Sequence, residues 1–180
     1  MTLRTNARTA RLAGALWLVV IAVSVVAVAT QSRIPRLAFA ANLFGAVCYL
    51  GVTVLLYALF KPVDAGISLF AAACGLAGVA GGAALSLVKS DPPAQGFYVE
   101  MVFFGFQIMS IGYLITRSTL IPRLLGVLLT LGGASYLINS FTNFLAPDLG
   151  VHIAPFIIPV AILGEGALTL WLLVKGVKVT

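Results

Sequence analysis

The sequence predicts an all-α fold, a polytopic bundle of about six transmembrane helices that forms a single domain over residues 1–180. The first observation is composition: 61% of the 180 residues are hydrophobic and 9% are charged, whereas soluble domains carry roughly 25% charged residues. The second is length, because each apolar stretch approaches the roughly 20 residues that span about 30 Å of hydrocarbon. The third is that the connecting segments are short, which leaves no room for a soluble domain.

The predicted helices follow the apolar stretches in chain order, and each break between them contains proline or charged residues, which end a helical pattern. They cover residues of about 12–30, 37–60, 66–88, 97–116, 121–145 and 153–174. The breaks include Pro35, Pro62, Pro92, Pro122 and Pro147.

The first apolar stretch has two interpretations. It follows Arg4, Arg8 and Arg11 and ends near Ala27 and Ala29, a pattern that also resembles a signal peptide with a small-residue cleavage site. The stretch is longer than a usual signal core and further apolar stretches follow, which favours a retained membrane helix. Cleavage is the alternative.

Lysine and arginine are distributed unequally between the two sides of the predicted bundle. Eight lie in the N-terminal tail, the second and fourth loops and the C-terminal tail, and three lie in the remaining loops. Because positive residues accumulate in cytoplasmic loops, we expect both termini in the cytoplasm and a multi-pass protein of the plasma (inner) membrane. Trp17 and Trp171 lie nearer the cytoplasmic ends of their helices, as interfacial anchors do. The net charge of +6 does not indicate nucleic-acid binding, because the basic residues are not clustered.

Two sequence patterns concern packing. The segments 34–37 and 121–124 both read Ile-Pro-Arg-Leu, which fits two three-helix halves of inverted topology, as in some transporters; coincidence in a low-complexity sequence is the favoured alternative. The predicted third helix is rich in glycine and alanine, and Gly78 and Gly82 form a small-xxx-small pair that permits close helix contact. We expect this helix in the centre of the bundle, or as the contact surface of a homo-oligomer or membrane partner.

Glu165 is the main candidate for a functional residue. It lies about 18 Å from one end and about 13 Å from the other end of its predicted span, between Gly164 and Gly166. Acidic residues at such a depth are costly and usually face the bundle interior. Pro155 and Pro159 precede it in the same helix and each removes a backbone hydrogen bond. A binding site and a structural hydrogen bond between helices explain the residue equally well.

Polar residues on two other helices are possible partners of Glu165. Glu100 and Gln107 share one face of the fourth helix, and Gln107 is predicted at the depth of Glu165. On the fifth helix, Ser135, Asn139 and Asn143 form an i, i+4 ladder beside Tyr136. An outward-opening polar cavity that ends at Glu165 would unite these residues. For the ladder alone, ordinary interhelical hydrogen bonds are the favoured explanation.

Residue patterns of a catalytic or metal site are not found. His152 is the single histidine and is predicted in an outer loop, which gives little support to a histidine-based metal site or nucleophile. Cys48 and Cys74 lie within apolar stretches and are interpreted as packing residues. We therefore predict no catalytic residue, no metal and no cofactor, and an intramembrane enzyme is the least favoured interpretation.

Several short segments of the second half resemble a known family. They are Phe103-Phe104-Gly105, Gly112-Tyr113-Leu114, residues 121–129, Tyr136-Leu137-Ile138 and Gly164-Glu165 with residues 171–176. Together they resemble the bacterial integral membrane proteins grouped as domain of unknown function 4386, most clearly from about residue 97 to 176. The segment that joins the first two helices is shorter here than the resemblance leads us to expect. The resemblance implies a multi-helix membrane protein and a recurring Gly-Glu pair at Glu165, and it implies no activity.

The sequence therefore predicts an integral membrane protein whose first partner is the lipid bilayer. The leading hypothesis is that it binds or transports a small or lipid-like molecule through an intramembrane pocket containing Glu165. The alternative is a non-catalytic membrane scaffold or partner subunit that packs through its Gly/Ala-rich third helix.

Overall fold

The structure, a computed structural model, describes residues 3–86 and 95–177 and contains six long helices. All six are long and apolar enough to cross a membrane, which confirms the predicted all-α bundle of about six spans. The helices are α1 (Leu3–Thr30), α2 (Pro35–Phe60), α3 (Ala65–Ser86), α4 (Gln95–Arg117), α5 (Arg123–Leu145) and α6 (Pro147–Val174). The turn predicted around Pro92 lies outside the described residues.

Two helices begin earlier than the sequence pattern indicated. α1 starts at Leu3 rather than near residue 12, because its basic N-terminal segment contains no proline or glycine that would stop a helix. α6 starts at Pro147, with Asp148 in its first turn. Proline at the first helical position loses no hydrogen bond, and an acidic residue interacts favourably with the helix N-terminus. His152 consequently lies in α6 rather than in a loop.

The six helices form a closed ring in chain order. Each helix packs against the next one along the chain, α6 packs against α1, and a small contact joins α2 and α4 across the ring. Large apolar side chains fill the interior, among them Trp17, Phe60, Ile108, Ile111 and Leu168. Other large apolar side chains are exposed on the outside of the ring, as expected of a surface that faces lipid.

Helices α4 and α5 touch through glycines. A Cβ atom added at Gly133 would lie 2.6 Å from the carbonyl oxygen of Gly105, and one added at Gly126 would lie 2.7 Å from that of Gly112. The two contacts are seven residues apart on each helix, so the antiparallel backbones approach each other over two turns. Here small residues allow direct backbone contact.

The glycine-rich face of α3 has a different role. Three of its glycines face α4, and large side chains of α4 occupy the space that a Cβ atom would fill. The pairs are Gly75 with Gln107, Gly78 with Phe104 and Gly82 with Glu100. This face is therefore filled within the chain, while Leu69, Phe70 and Leu76 of the same helix are exposed. Oligomerisation through α3 stays a prediction.

The repeated Ile-Pro-Arg-Leu segments occupy equivalent junctions with different local geometry. Pro35 is the first residue of α2, whereas Pro122 precedes the first residue of α5. The N-cap residues also differ, with φ −136° at Ile34 and φ −56° at Pro122. The inverted-repeat interpretation stays a prediction.

Candidate functional site

The Glu165 carboxyl group joins three helices. The Trp17 indole Nε1 on α1 donates a hydrogen bond to Glu165 Oε2 at 3.2 Å, and the Tyr136 hydroxyl on α5 donates one to Oε1. Both donors are neutral. Glu165 lies about 7 Å from the middle of the 28-residue α6, well inside the part that crosses the hydrocarbon.

The two flanking glycines give Glu165 one closed side and one open side. A Cβ atom at Gly164 would lie 2.7 Å from the carbonyl oxygen of Leu128 on α5, so α6 and α5 are in close contact there. A Cβ atom at Gly166 would meet nothing within 4 Å. Glu165 itself is half-buried. The backbone of α6 is therefore in contact with α5 at Gly164 and open at Gly166, on either side of the half-buried Glu165.

A second hydrogen-bonded group surrounds Gln107, which is 1% exposed. The Tyr49 hydroxyl on α2 donates to Gln107 Oε1 at 3.0 Å, and Gln107 Nε2 donates to the Thr53 hydroxyl at 3.1 Å. The Gln107 side chain rests on Gly75 of α3. Three helices meet at this amide, and each polar atom of the Gln107 side chain has a partner.

Aromatic rings connect the two groups. The Trp17 and Tyr49 rings pack edge to face, with centroids 6.3 Å apart and planes at 89°. The Tyr49 and Phe104 centroids are 4.6 Å apart. We define the polar centre as the residues that carry these two sets of hydrogen bonds: Trp17, Tyr49, Thr53, Gln107, Tyr136 and Glu165. It draws on five of the six helices.

Glu100 lies near the polar centre without a hydrogen bond to it. The carboxyl group rests against Gly82 of α3 and is half-buried. It finds no hydrogen-bond or ion-pair partner among the residues that the structure describes. Across those same residues, no three His, Cys, Asp or Glu side chains are grouped so that they could hold a metal ion.

The structure does not bring the ladder of α5 to Glu165. Ser135 donates to the Leu131 carbonyl oxygen at 2.8 Å, and Asn143 donates to the Asn139 carbonyl oxygen at 2.8 Å, so these bonds remain within α5. Asn143 packs against Gly150, which precedes Glu165 by 15 residues, or about 22 Å of helix. Of the sequence-predicted partners, only Tyr136 contacts the acid.

Two further hydroxyl groups and one cavity accompany the polar centre. Ser140 Oγ and Thr169 Oγ1 are buried and find no hydrogen-bond partner in the described part of the chain. They lie four residues after Tyr136 and Glu165, on the same helix faces. A small cavity extends from Gln107 and Thr53 to Ser68 at the start of α3. Its water-accessible space of about 10 Å³ would hold about one water molecule.

Sequence reasoning missed Trp17, Tyr49 and Thr53. Trp17 was expected as an interfacial anchor, which is wrong, since it is 0% exposed and hydrogen-bonded to Glu165. The error follows from the helix start, because an α1 that begins at Leu3 places Trp17 at its middle. The i, i+4 spacing of Tyr49 and Thr53 is a signal that could have identified one polar face of α2.

The comparisons with known proteins identify a family and name no activity. The model of the domain of unknown function DUF4386 matches residues 82–176, more than half of the chain. An uncharacterized protein of Archaeoglobus fulgidus is 26% identical over 135 residues, which cover 72% of this chain and 77% of that protein. No solved structure matches.

Proposed function

We propose that this chain, which belongs to the DUF4386 family of domains of unknown function, binds a small or lipid-like molecule at Glu165 and moves it across the membrane. The carrying observation is a carboxyl group inside a membrane-spanning helix, held by neutral donors from two other helices, on a half-buried residue next to the open position of Gly166. A carboxylate at such a depth costs at least roughly 2.5–3.5 kcal/mol on insertion scales. A function at this position would explain why the chain bears that cost.

The open position at Gly166 supports access to Glu165 from the lipid. Gly166 shares one stripe of α6 with Ile162, Leu163 and Leu170, all of which are exposed. A glycine in this stripe leaves a gap in an otherwise covered surface. A molecule dissolved in the bilayer would reach the carboxyl group through this gap without displacing a side chain of α6.

The polar centre also supports movement beyond the first contact. From Glu165 the polar groups continue through Tyr49 and Gln107 to Thr53, and the small cavity follows from there toward the start of α3. This order of groups leads from the lipid-facing gap to the end of the bundle that we predict to be cytoplasmic. A transported molecule would use it as its route.

A second candidate function is a membrane scaffold or partner subunit without a ligand. It is favoured by the fact that both carboxyl oxygens of Glu165 already accept a hydrogen bond from within the chain. Such an arrangement would also serve as a purely structural link between α1, α5 and α6. In that case the outer faces of the helices would bind a partner protein.

The experiment compares Glu165→Gln with Asp64→Asn in the full-length protein. Both changes remove one carboxylate charge, but Asp64 is exposed and accepts a hydrogen bond from the Ile67 amide at the start of α3, which an asparagine oxygen also accepts. We expect a ligand-induced rise in melting temperature, and transport in liposomes, for the unchanged protein and Asp64→Asn but not for Glu165→Gln. If Glu165→Gln retains both, the binding proposal is wrong. A stable partner protein after gentle extraction, without any ligand effect, would favour the scaffold.

Access to the carboxyl group is tested separately with a hydrophobic carbodiimide in native membranes. Such reagents modify protonated carboxyl groups in apolar surroundings, so we expect labelling of Glu165 that disappears in Glu165→Gln. Gly166→Leu should reduce it, because a leucine side chain would cover the open side. Gly81→Leu, at a position on α3 that is equally open, is the matched control. Equal labelling of both leucine variants would contradict the proposed access route.

A further inference from the structure

We infer that the molecule bound at Glu165 is an organic cation with apolar substituents, such as a quaternary ammonium or phosphonium compound. This inference rests on the proposed function and specifies its ligand class. It follows from charge, from the surrounding rings and from the access route.

The membrane-spanning helices carry acidic rather than basic side chains in the described part of their central turns. Four of the five acidic residues lie in the described part of the chain: Asp64 and Asp148 near helix ends, and Glu100 and Glu165 inside spans. The described lysines and arginines lie in loops or terminal turns, except Arg8 and Arg11, which are exposed in the first part of α1. On α6 itself, the nearest basic residue is Lys175, ten residues or about 15 Å from Glu165. Among the described residues, no lysine or arginine forms an ion pair with Glu165.

The residues that contact Glu165 also provide no positive charge. Its two hydrogen-bond donors, Trp17 and Tyr136, are neutral. Tyr49, which packs against Trp17, donates its hydroxyl hydrogen bond to Gln107 and supplies no positive charge. An anionic ligand would be repelled by an ionised Glu165, and an uncharged one would gain no ion pair. A cation supplies the counter-charge that the chain lacks.

The aromatic rings of the polar centre favour a cationic ligand over an anionic one. The faces of tryptophan, tyrosine and phenylalanine attract cations because the ring quadrupole is negative above the plane, and quaternary ammonium groups are bound in this way. Trp17 and Tyr136 contact the carboxyl group directly, and Tyr49 packs against Trp17. Tyr136 is half-buried, whereas Trp17 is fully buried. Tyr136 is therefore the more accessible of the two donors, and its rotation would open the carboxyl group to a ligand.

The apolar substituents are inferred from the access route. The gap at Gly166 is bordered on α6 by Ile162, Leu163 and Leu170, which are 56–61% exposed. A small hydrated cation would have to lose its hydration water to cross this apolar surface. A cation whose charge is shielded by apolar substituents partitions into it.

The test uses three tetraphenyl compounds of nearly equal shape: tetraphenylphosphonium as the cation, tetraphenylborate as the anion and tetraphenylmethane as the uncharged form. The chain has two tryptophans, so Trp171→Phe leaves Trp17 as the sole tryptophan reporter beside the carboxyl group. The protein is placed in nanodiscs of uncharged lipid, and empty nanodiscs correct for partitioning. Saturable binding is measured by Trp17 fluorescence and by equilibrium dialysis.

We expect saturable binding of the cation alone, with at least about tenfold weaker affinity in Glu165→Gln, which corresponds to about 1.4 kcal/mol. Asp64→Asn should bind like the unchanged protein. Gly166→Leu, which leaves the carboxyl group in place, should also weaken binding and covers the case that Glu165→Gln does not fold.

The remaining outcomes distinguish a failure of the cation inference from a failure of the proposed binding site. If all three compounds bind and all require Glu165, the site exists and the cation inference is wrong. If only the anion or the uncharged compound requires Glu165, the cation inference is again overturned while the proposed binding site is supported. If the cation binds with the same affinity in Glu165→Gln and Gly166→Leu as in the unchanged protein, both proposals fail. Absence of saturable binding for all three compounds overturns the cation inference.

Discussion

The contact between α4 and α5 predicts opposite effects for the same substitution at two glycines. In Gly133→Ala the new Cβ atom would lie 2.6 Å from the Gly105 carbonyl oxygen and 2.9 Å from the Met109 backbone nitrogen. The first distance is about 0.8 Å short of the 3.4 Å at which ordinary van der Waals contact begins. Both atoms belong to the α4 backbone and cannot rotate away, so the helices must separate. Overpacking of this kind costs about 1–3 kcal/mol.

Gly81→Ala provides the comparison, because its Cβ atom would meet nothing within 4 Å. Both variants gain the roughly 0.8–1.0 kcal/mol by which alanine exceeds glycine in helix propensity. The difference between them therefore isolates the clash, about 1–3 kcal/mol, or about 2–12 °C in melting temperature for a chain of this length. Thermal unfolding in one detergent, followed by circular dichroism, measures it. Gly81→Ala should melt above the unchanged protein and well above Gly133→Ala. Equal melting temperatures for the two variants would refute the backbone contact at Gly133.

Two further predictions concern polar side chains. Tyr136→Phe removes one donor from the Glu165 carboxyl group, so we expect a loss of about 1–3 kcal/mol in thermal unfolding, whereas Tyr113→Phe, at an exposed tyrosine, should leave stability unchanged; equal losses would contradict the hydrogen bond. Gln107→Leu leaves two buried hydroxyl groups without their partner and should cost about 1–3 kcal/mol, more than Asn143→Ala, whose bonds stay within its own helix. The reverse order of these two losses would show that the buried amide is not a link between helices.

The number of helices could be predicted from the sequence because lipid imposes a simple rule. Inside the hydrocarbon every backbone group must be satisfied within its own segment, so a span is a long apolar helix. Apolar length therefore identified all six helices. It identified their ends less well, since proline and charge are compatible with a first helical turn. Pro147 and Asp148 were interpreted as a loop and belong to the first turn of α6.

The partners of Glu165 were harder to predict, because sequence gives depth along a helix and not rotation about its axis. In a soluble helix the buried face is apolar and the exposed face is polar, so the pattern shows which side faces inward. In this chain both faces are apolar. Phe156 is 79% exposed and Ile108 is 1% exposed, although both are large apolar residues within spans. Glu165 could be identified from the sequence because an acidic residue is unusual within a membrane span. A tryptophan such as Trp17 is common both in the bundle interior and on the lipid-facing surface, so its sequence position did not indicate its role.

The glycines show the same limit of sequence-based prediction, and they also show how the polar centre is built. A glycine pair in a sequence indicates that something approaches closely, but the facing helix decides whether this is a backbone or a side chain. On α4, Gly105 and Gln107 are two residues apart and so about 200° apart around the axis. Gly105 faces the α5 backbone, and Gln107 fills the space left by Gly75 on α3. The tight contact on one side of α4 and the space on its other side together hold Gln107 where Tyr49 and Thr53 can reach it. The glycines of three helices thus position the polar centre, although none of them contributes a polar side chain to it.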